Sequence, residues 1–438
     1  MSVVENTPFV YSVQVSDPEG KAVTLQVIGG ADQELFEGGI SSDLILTLMP
    51  NFEDPIDANR DNVYEITLEA SDGEQRSQLN LKVTVTDAPD SVRLKRVAVD
   101  LPEVVSLNAI PGTDDLLVGR KTGQVVRLKP ADGTRSTLFT LPAARMNMDV
   151  GLIAASAGPR FGLAGRYFVA FLHTDGTLWL ESWKPGIFLD YITDVSPMTK
   201  SPIKSPADLS GWMSLGPNDE LYLVFGDATE RYDNIQRVGI NPDPYAGVTP
   251  NFHIASPNNP DPDHPFVFGY GIRQPVGGTL YQGGFLFVDR FAVRLDGDSV
   301  DSHEINRLRK TGDPDTGDML DFGWGDVFRR SEGSMAQLRS NMKRRPMPAL
   351  LGGDVYTGTQ PLLDGHYILA DNQTGGIWSI HASTMAPGQA WELTNLYARK
   401  GDFVPDVGTL GPIRAFGKDR AGNVYVADTS GQIFRIEP

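Results

Sequence analysis

The chain has 438 residues, of which 40% are hydrophobic and 21% charged, with a formal net charge of −18, six His and no Cys. That composition describes a globular protein with apolar material for a large core, and it excludes disulfides, thiolate metal sites, a catalytic Cys and covalent c-type haem. The acidic balance argues against nucleic acid as a partner, and no run of 18 apolar residues marks a membrane-spanning helix.

The N-terminus carries no charged segment followed by an apolar one, so no signal peptide is expected. Met1 instead precedes what reads as the middle of a strand pattern, which suggests a piece of a longer chain. Residues 1–87 then alternate with period 2 in "FVYSVQVSD", "AVTLQVIGG", "LILTLMP", "VYEITLEASD" and "LNLKVTVTD". Five strand candidates separated by turn clusters such as "DPEGK" predict a β-sandwich. Residues 1–90 hold 17 Asp and Glu against 4 Lys and Arg. So concentrated a charge repels itself unless something cationic binds it.

The acids gather at strand ends. "VENTPF", "VSDPEG", "PNFEDPIDANRDNVYEITLEASDG" and "VTVTDAPD" resemble the landmarks of a cadherin-like repeat. The resemblance implies calcium shared between successive repeats, with Glu5, Glu53 and Asp72 as carboxylate ligands and Asp87 and Asp90 contributing at the junction with the next domain. Hard oxygen donors are what Ca²⁺ selects. The plainer alternative is that these are ordinary polar turn residues. "DAPD" also departs from the family pattern by lacking the usual linker Asn.

"DAPDSVRLKR" reads as a linker, dividing a domain at 1–90 from one at 91–438. Beyond it one unit recurs six times: apolar strand, Gly/Asn/Asp turn, second strand, Gly turn, third strand. The six are "VVSLNAIPGTDDLLVGRKTGQVVRL", "VGLIAASAGPRFGLAGRYFVAFLHTDGTLWLESW", "SGWMSLGPNDELYLVFGD", "IRQPVGGTLYQGGFLFVDR", "GDVYTGTQPLLDGHYILADNQTGGIWSI" and "IRAFGKDRAGNVYVADTSGQIFRI". Such recurrence predicts a six-bladed β-propeller, with a β-helix or a sandwich array as the alternative. "SVRLKRVAVDL" is expected to supply the outer strand that closes the ring with the last blade. The predicted fold class is all-β, a cadherin-like sandwich followed by a six-bladed propeller.

"HPFVFGYGIRQPVGG", "SHEINRL", "DFGWGD", "DVYTGTQPLLDGHYILADNQTGGIWSI" and "GPIRAFGKDRAGNVYVAD" occur in order over nearly all of 94–438. Together they resemble the glucose/sorbosone dehydrogenase family, six-bladed propellers that use pyrroloquinoline quinone (PQQ) beside a calcium ion. The resemblance implies cofactor contacts at Arg273 and Arg414, with Gln274 where the family has Asn. A salt bridge between blades is the alternative role for both arginines. The family's histidine takes a proton from the sugar while hydride passes to the quinone. Counting back from Gly216-Pro217, that position falls on Asp208, followed by Leu209. A solvated carboxylate is two to three pKa units less basic than His. "VDRFAVRLDGDSVDSHEIN" also lacks the acidic-His-Gly opening of the family's calcium-and-substrate loop.

Two readings follow. One is an extracellular or cell-surface propeller module, or a periplasmic one, of a larger bacterial protein. It would lack the family's base and would bind carbohydrate or a surface ligand at the propeller mouth in adhesion, beside neighbouring cadherin-like repeats. The other is a PQQ- and calcium-dependent aldose dehydrogenase with an altered site, using Asp208.

Overall fold

A computed structural model describes residues 1–438 except 8, 39–42, 47–48, 159–165, 186–191, 203–205, 207–208, 216–220, 227–251, 256–265, 271–273, 283, 296–297, 310–319, 322–335, 340–348, 386–388, 393–395 and 438. It is all-β, and its described helices are single 3₁₀ turns such as Ala143–Arg145. No described helix is long and apolar enough to cross a membrane. Two compact units emerge. One joins Met1–Ser91 to Ile377–Ile380 and Glu392–Val404, and the other holds Val92–Gly376, His381–Trp391 and Pro405–Pro438.

In the first unit a four-stranded sheet runs in the order Ser2–Val4, Arg76–Thr86, Val63–Ser71, Thr24–Gly29, with Ser2–Val4 parallel to its neighbour. A three-stranded sheet runs Val10–Ser12, Asp43–Leu46, Phe36–Gly38. Alternation explains the long central strand: Tyr64, Ile66 and Leu68 are at most 2% exposed while the residues between them are only partly covered. These side chains meet Leu25, Phe36, Leu44, Val83 and Val85 in one apolar cluster between the sheets. Each of the five strand candidates of this region contains a strand, the first of them only at Val10–Ser12 and the third at Asp43–Leu46. Ser2–Val4 and Phe36–Gly38 join them as short strands with little alternation to announce them.

In the second unit each repeat supplies an innermost strand: Val104–Ala109, Leu152–Ala157, Gly211–Leu215, Pro275–Tyr281, Leu350–Val355 and Ile413–Lys418. Each pairs antiparallel with the next strand of its own repeat. The inner strands lie beside one another in sequence order, and the sixth returns to the first through a short parallel pairing at Gly417↔Leu107 and Lys418↔Asn108. Apolar clusters fill the seams: Leu117, Val125 and Phe139 of the first repeat pack on Val169, Phe171 and Trp183 of the second, and Ile153, Phe168 and Leu180 on Met213, Leu223 and Phe225 of the third. Val92–Ala98 pairs antiparallel with Ile433–Ile436, so the strand ahead of the first repeat does join the sheet of the last, though it is not that sheet's outermost strand.

Two glycines set how close the inner strands come. Gly277 has φ +82°, and a Cβ there would lie 2.1 Å from the Gly352 carbonyl oxygen. A Cβ on Gly278 would lie 2.6 Å from the Trp212 ring. Only glycine allows that backbone conformation and that approach together.

Candidate functional sites

The inner strands of the second unit surround a cavity of about 1300 Å³. Its wall includes Ser210, Trp212, Gly277, Asn372, Arg414 and Lys418. On the strand Ile413–Lys418 the odd positions are buried in sheet packing, while Arg414, Phe416 and Lys418 are more open. Lys418 Nζ lies 2.7 Å from Asp354, which also accepts from the Thr279 hydroxyl at 2.6 Å. That cation is paired.

Arg414 differs. Its Nε is closed to solvent and has no hydrogen-bond partner among the described residues. The same holds for Ser210 Oγ, Trp212 Nε1 and Arg290 Nη2. Trp212 is only 7% exposed. All four groups can donate, and three belong to residues on the cavity wall. Atoms closed to solvent do not face the cavity, so what this set offers a ligand is the Arg414 side chain itself, which forms no ion pair among the described residues. A ligand carboxylate suits that arginine by charge. The residues present therefore fit PQQ.

Of the residues expected here, Asp208 and Arg273 lie outside the described residues. Gln274 opens the fourth inner strand, where its backbone N–H donates to Asp289 (2.6 Å) and its carbonyl accepts from the Arg290 N–H (3.0 Å). Arg414 is on the wall. Leu209 is 7% exposed and belongs to the apolar cluster of Ile153 and Met213. Sequence reasoning missed Ser210, Trp212 and Arg290, since nothing in a strand's alternation says which donors will lack a partner.

The first unit holds a second constellation. Oxygens of Glu5, Glu53 and Asp87 lie within 4.8 Å of one another, as do those of Glu53, Asp90 and Asp402. Glu5 is 1% exposed, and its two oxygens accept from the backbone N–H groups of Phe52 and Ala88, both at 2.7 Å. Asp90 accepts from Asn6 Nδ2 at 2.6 Å. Asp402 accepts from Asn51 Nδ2 at 2.9 Å and pairs with Arg399 at 3.0 Å, while Asp90 stands 3.7 Å from the same guanidinium. Burial pushes Glu53 up to about 7, helped by a hydrogen bond and charge from Glu5 and by the charge of Asp90. Burial, then the charges of Asp402 and Glu5, raises Asp90 to about 7 against the pull of Arg399. Asp402 is likewise raised by burial. Five carboxylates thus gather here, with Arg399 close to Asp90 and Asp402, and among the described residues Asn6 Oδ1 is a buried acceptor without a donor. This all-oxygen set fits a calcium ion.

The structure therefore brings Glu5, Glu53, Asp87 and Asp90 together and adds Asp402, a residue without strand-end grammar around it. Asp72 is elsewhere. It caps a hairpin turn by accepting from the N–H groups of Glu74 (2.9 Å) and Gln75 (2.6 Å), and it stands 3.6 Å from Lys21. Those hydrogen bonds hold its pKa below the ordinary value. It is not part of either carboxylate group.

Sheets built on inner strands that lie side by side in sequence order define an all-β, propeller-like class of fold. No protein-family model matches the chain, and no curated protein does. Among solved structures, the PQQ-bound aldose sugar dehydrogenase of Streptomyces coelicolor superposes with a TM-score of 0.56 at 16% identity, over 80% of this chain and 99% of that one. The soluble aldose sugar dehydrogenase of Escherichia coli in its apo form gives 0.54 at 15%, over 80% and 100%. A glucose dehydrogenase gives 0.54 at 13%, over 79% and 99%. At these identities the likeness shows a shared fold.

Proposed function

We propose that the second unit is a closed six-bladed propeller on the scaffold of PQQ-dependent sugar dehydrogenases, and that its cavity holds a polycarboxylate of the PQQ class. The observation that carries this reading is Arg414 on the cavity wall, a cation without an ion pair among the described residues. PQQ, when bound, would supply a hydride acceptor. The chain's part is to hold it: Arg414 would meet a carboxylate, and the inner strands would keep that side chain fixed. The first unit is a cadherin-like, calcium-binding module displaying the propeller in an extracellular, cell-surface or periplasmic setting.

Asp208 and Leu209 favour a second reading of the same scaffold, as a recognition module for carbohydrate or a surface ligand. Leu209 is packed into the apolar seam, so the residue after the family's base position offers no polar group. Asp208 as an ionised carboxylate is a poor base for a sugar hydroxyl, and a positioned base contributes about 10²–10⁴-fold.

Equilibrium titration with PQQ tests the first reading, and dye reduction with aldoses separates it from the second. Binding that Arg414→Met weakens about tenfold or more, with negligible turnover that Asp208→His raises, is the expected pattern. Absence of PQQ binding leaves the recognition module. Robust wild-type turnover on glucose places the working base somewhere other than Asp208.

A further inference from the structure

Arg414 has a companion on the cavity wall. Lys121 also lines the cavity, partly exposed, and among the described residues no carboxylate lies within ion-pair distance of its ammonium. The other lysine of the wall, Lys418, is taken by Asp354 at 2.7 Å. Three neighbouring strands set the two free cations at one opening. Leu116–Arg120, Val104–Ala109 and Ile413–Lys418 are consecutive in a single sheet. Lys121 follows the first of them, and its backbone N–H donates to the Glu103 carbonyl at 2.8 Å, where the second begins. The third runs parallel to the second at Gly417↔Leu107, a register that, carried back along both strands, sets Arg414 level with Val104. At the usual spacing between strands, the backbones of Lys121 and Arg414 are roughly 10 Å apart across that opening. The lysine is held in place. Its carbonyl accepts from the Leu152 N–H at 3.0 Å, and a Cβ on Gly151 would lie 2.9 Å from its Cγ, so its stem runs along that glycine. Asp149 and Glu103, the acids beside it in the fold, are exposed to water and neither pairs with it.

Two unpaired cations at one opening repel each other, and an anion carrying two acids relieves both at once. We propose that Lys121 is a second anchoring cation of the cavity, so that with Arg414 it selects a ligand bearing two carboxylates over one bearing a single carboxylate. This rests on the reading of the cavity as a polycarboxylate site. Arg414 offers a planar fork to one carboxylate, and Lys121 a point charge on an adjustable stem to the other. Lys418, further along the strand of Arg414, is already satisfied, so the anion is drawn to the opening and not to the far end of that strand.

The test titrates PQQ into the full chain and into Lys121→Met and Lys121→Arg, by equilibrium dialysis at one fixed calcium concentration. Lys121→Met should bind about tenfold more weakly at an unchanged melting temperature, and Lys121→Arg, which keeps the charge, should stay within about threefold. Citrate should displace bound PQQ at least about tenfold more effectively than acetate at matched ionic strength. Wild-type affinity in a folded Lys121→Met, or equal displacement by citrate and acetate, overturns the proposal, while binding that still depends on Arg414 leaves the cavity reading standing. Should Lys121→Met fail to fold, acetylation of wild type followed by mass spectrometry decides. PQQ at tenfold over its Kd should slow acetylation of Lys121 about tenfold and leave the exposed Lys129 unchanged, and equal rates at Lys121 overturn the proposal. Where PQQ does not bind at all, citrate is the probe. Lys121-dependent citrate binding then keeps the proposal while the quinone reading falls, and no binding of either anion ends both.

Discussion

Replacing Asp90 by Asn should stabilise the first unit in chelator and weaken its response to calcium. Asp90 is 5% exposed and is lifted from its ordinary 3.8 to about 7 by burial and by Asp402 and Glu5. At about 1.4 kcal/mol per pKa unit, keeping it ionised in the metal-free fold costs at most about 4 kcal/mol. Arg399 and Asn6 stay on the wild-type carboxylate, so about half of that, about 2 kcal/mol, is the expected gain for Asp90→Asn in EDTA at pH 7.5, or roughly 10 °C in a domain near 100 residues. The sign with pH follows from linkage. A folded-state pKa raised above the unfolded one contributes stability that is full below about 4 and is lost as pH rises through about 7. In EDTA the melting temperature should therefore fall between pH 5.5 and 7.5. Calcium replaces the protons, so its stabilising effect should grow over the same window, reaching about 2.7 kcal/mol at a hundredfold excess over Kd. Differential scanning calorimetry of the full chain, with and without calcium at both pH values, reads all of this. Identical melts with calcium and EDTA at pH 7.5, or an Asp90→Asn protein less stable than wild type in EDTA, would refute the reasoning.

Arg399→Met removes the one guanidinium serving Asp90 and Asp402, and should lose about 3 kcal/mol in chelator. Calcium should restore most of that loss, and a chelator melt equal to wild type would count against the pairing. Gly277→Ala drives a methyl group against the Gly352 carbonyl at a positive φ and should destabilise the second unit by about 3 kcal/mol or more in urea unfolding. Leu94→Asp buries a carboxylate in the strand that pairs with Ile433–Ile436. It should cost about 4 kcal/mol, and limited proteolysis should show loss across the second unit and not only at its end.

What was legible in the sequence was what local alternation encodes. "VYEITLEASD" and "LNLKVTVTD" read as strands because every second residue had to enter the apolar cluster around Tyr64 and Leu68, and the six repeats each announce an inner strand in the same way. Strand-end carboxylates were legible as a group through charge density. Asp402 was not, because it reaches the cluster by tertiary contact from "ARKGDF", a stretch with no acidic neighbours to flag it. Asp72 went the other way: the same Asp-Gly grammar that suggests a ligand also caps a hairpin, and the backbone of Glu74 and Gln75 takes it. The segment after Asp289 reads in sequence only as a departure from a known loop, whereas its described residues pair as extended strands.

The pairing of Val92–Ala98 with Ile433–Ile436 carries a consequence for synthesis. Arg96 and Gln432, which touch across that seam, are 336 residues apart in the chain. At about 5–20 residues per second, roughly 20–70 s pass on the ribosome between the appearance of one strand and that of its partner. Throughout that interval Leu94, fully buried in the finished protein, waits on an open strand edge able to pair with any other nascent chain. The emergence of Ile433–Ile436 from the ribosome is therefore the step at which this seam either pairs or aggregates, and the yield in a cell should respond to elongation rate and to chaperone supply more steeply than the final stability suggests.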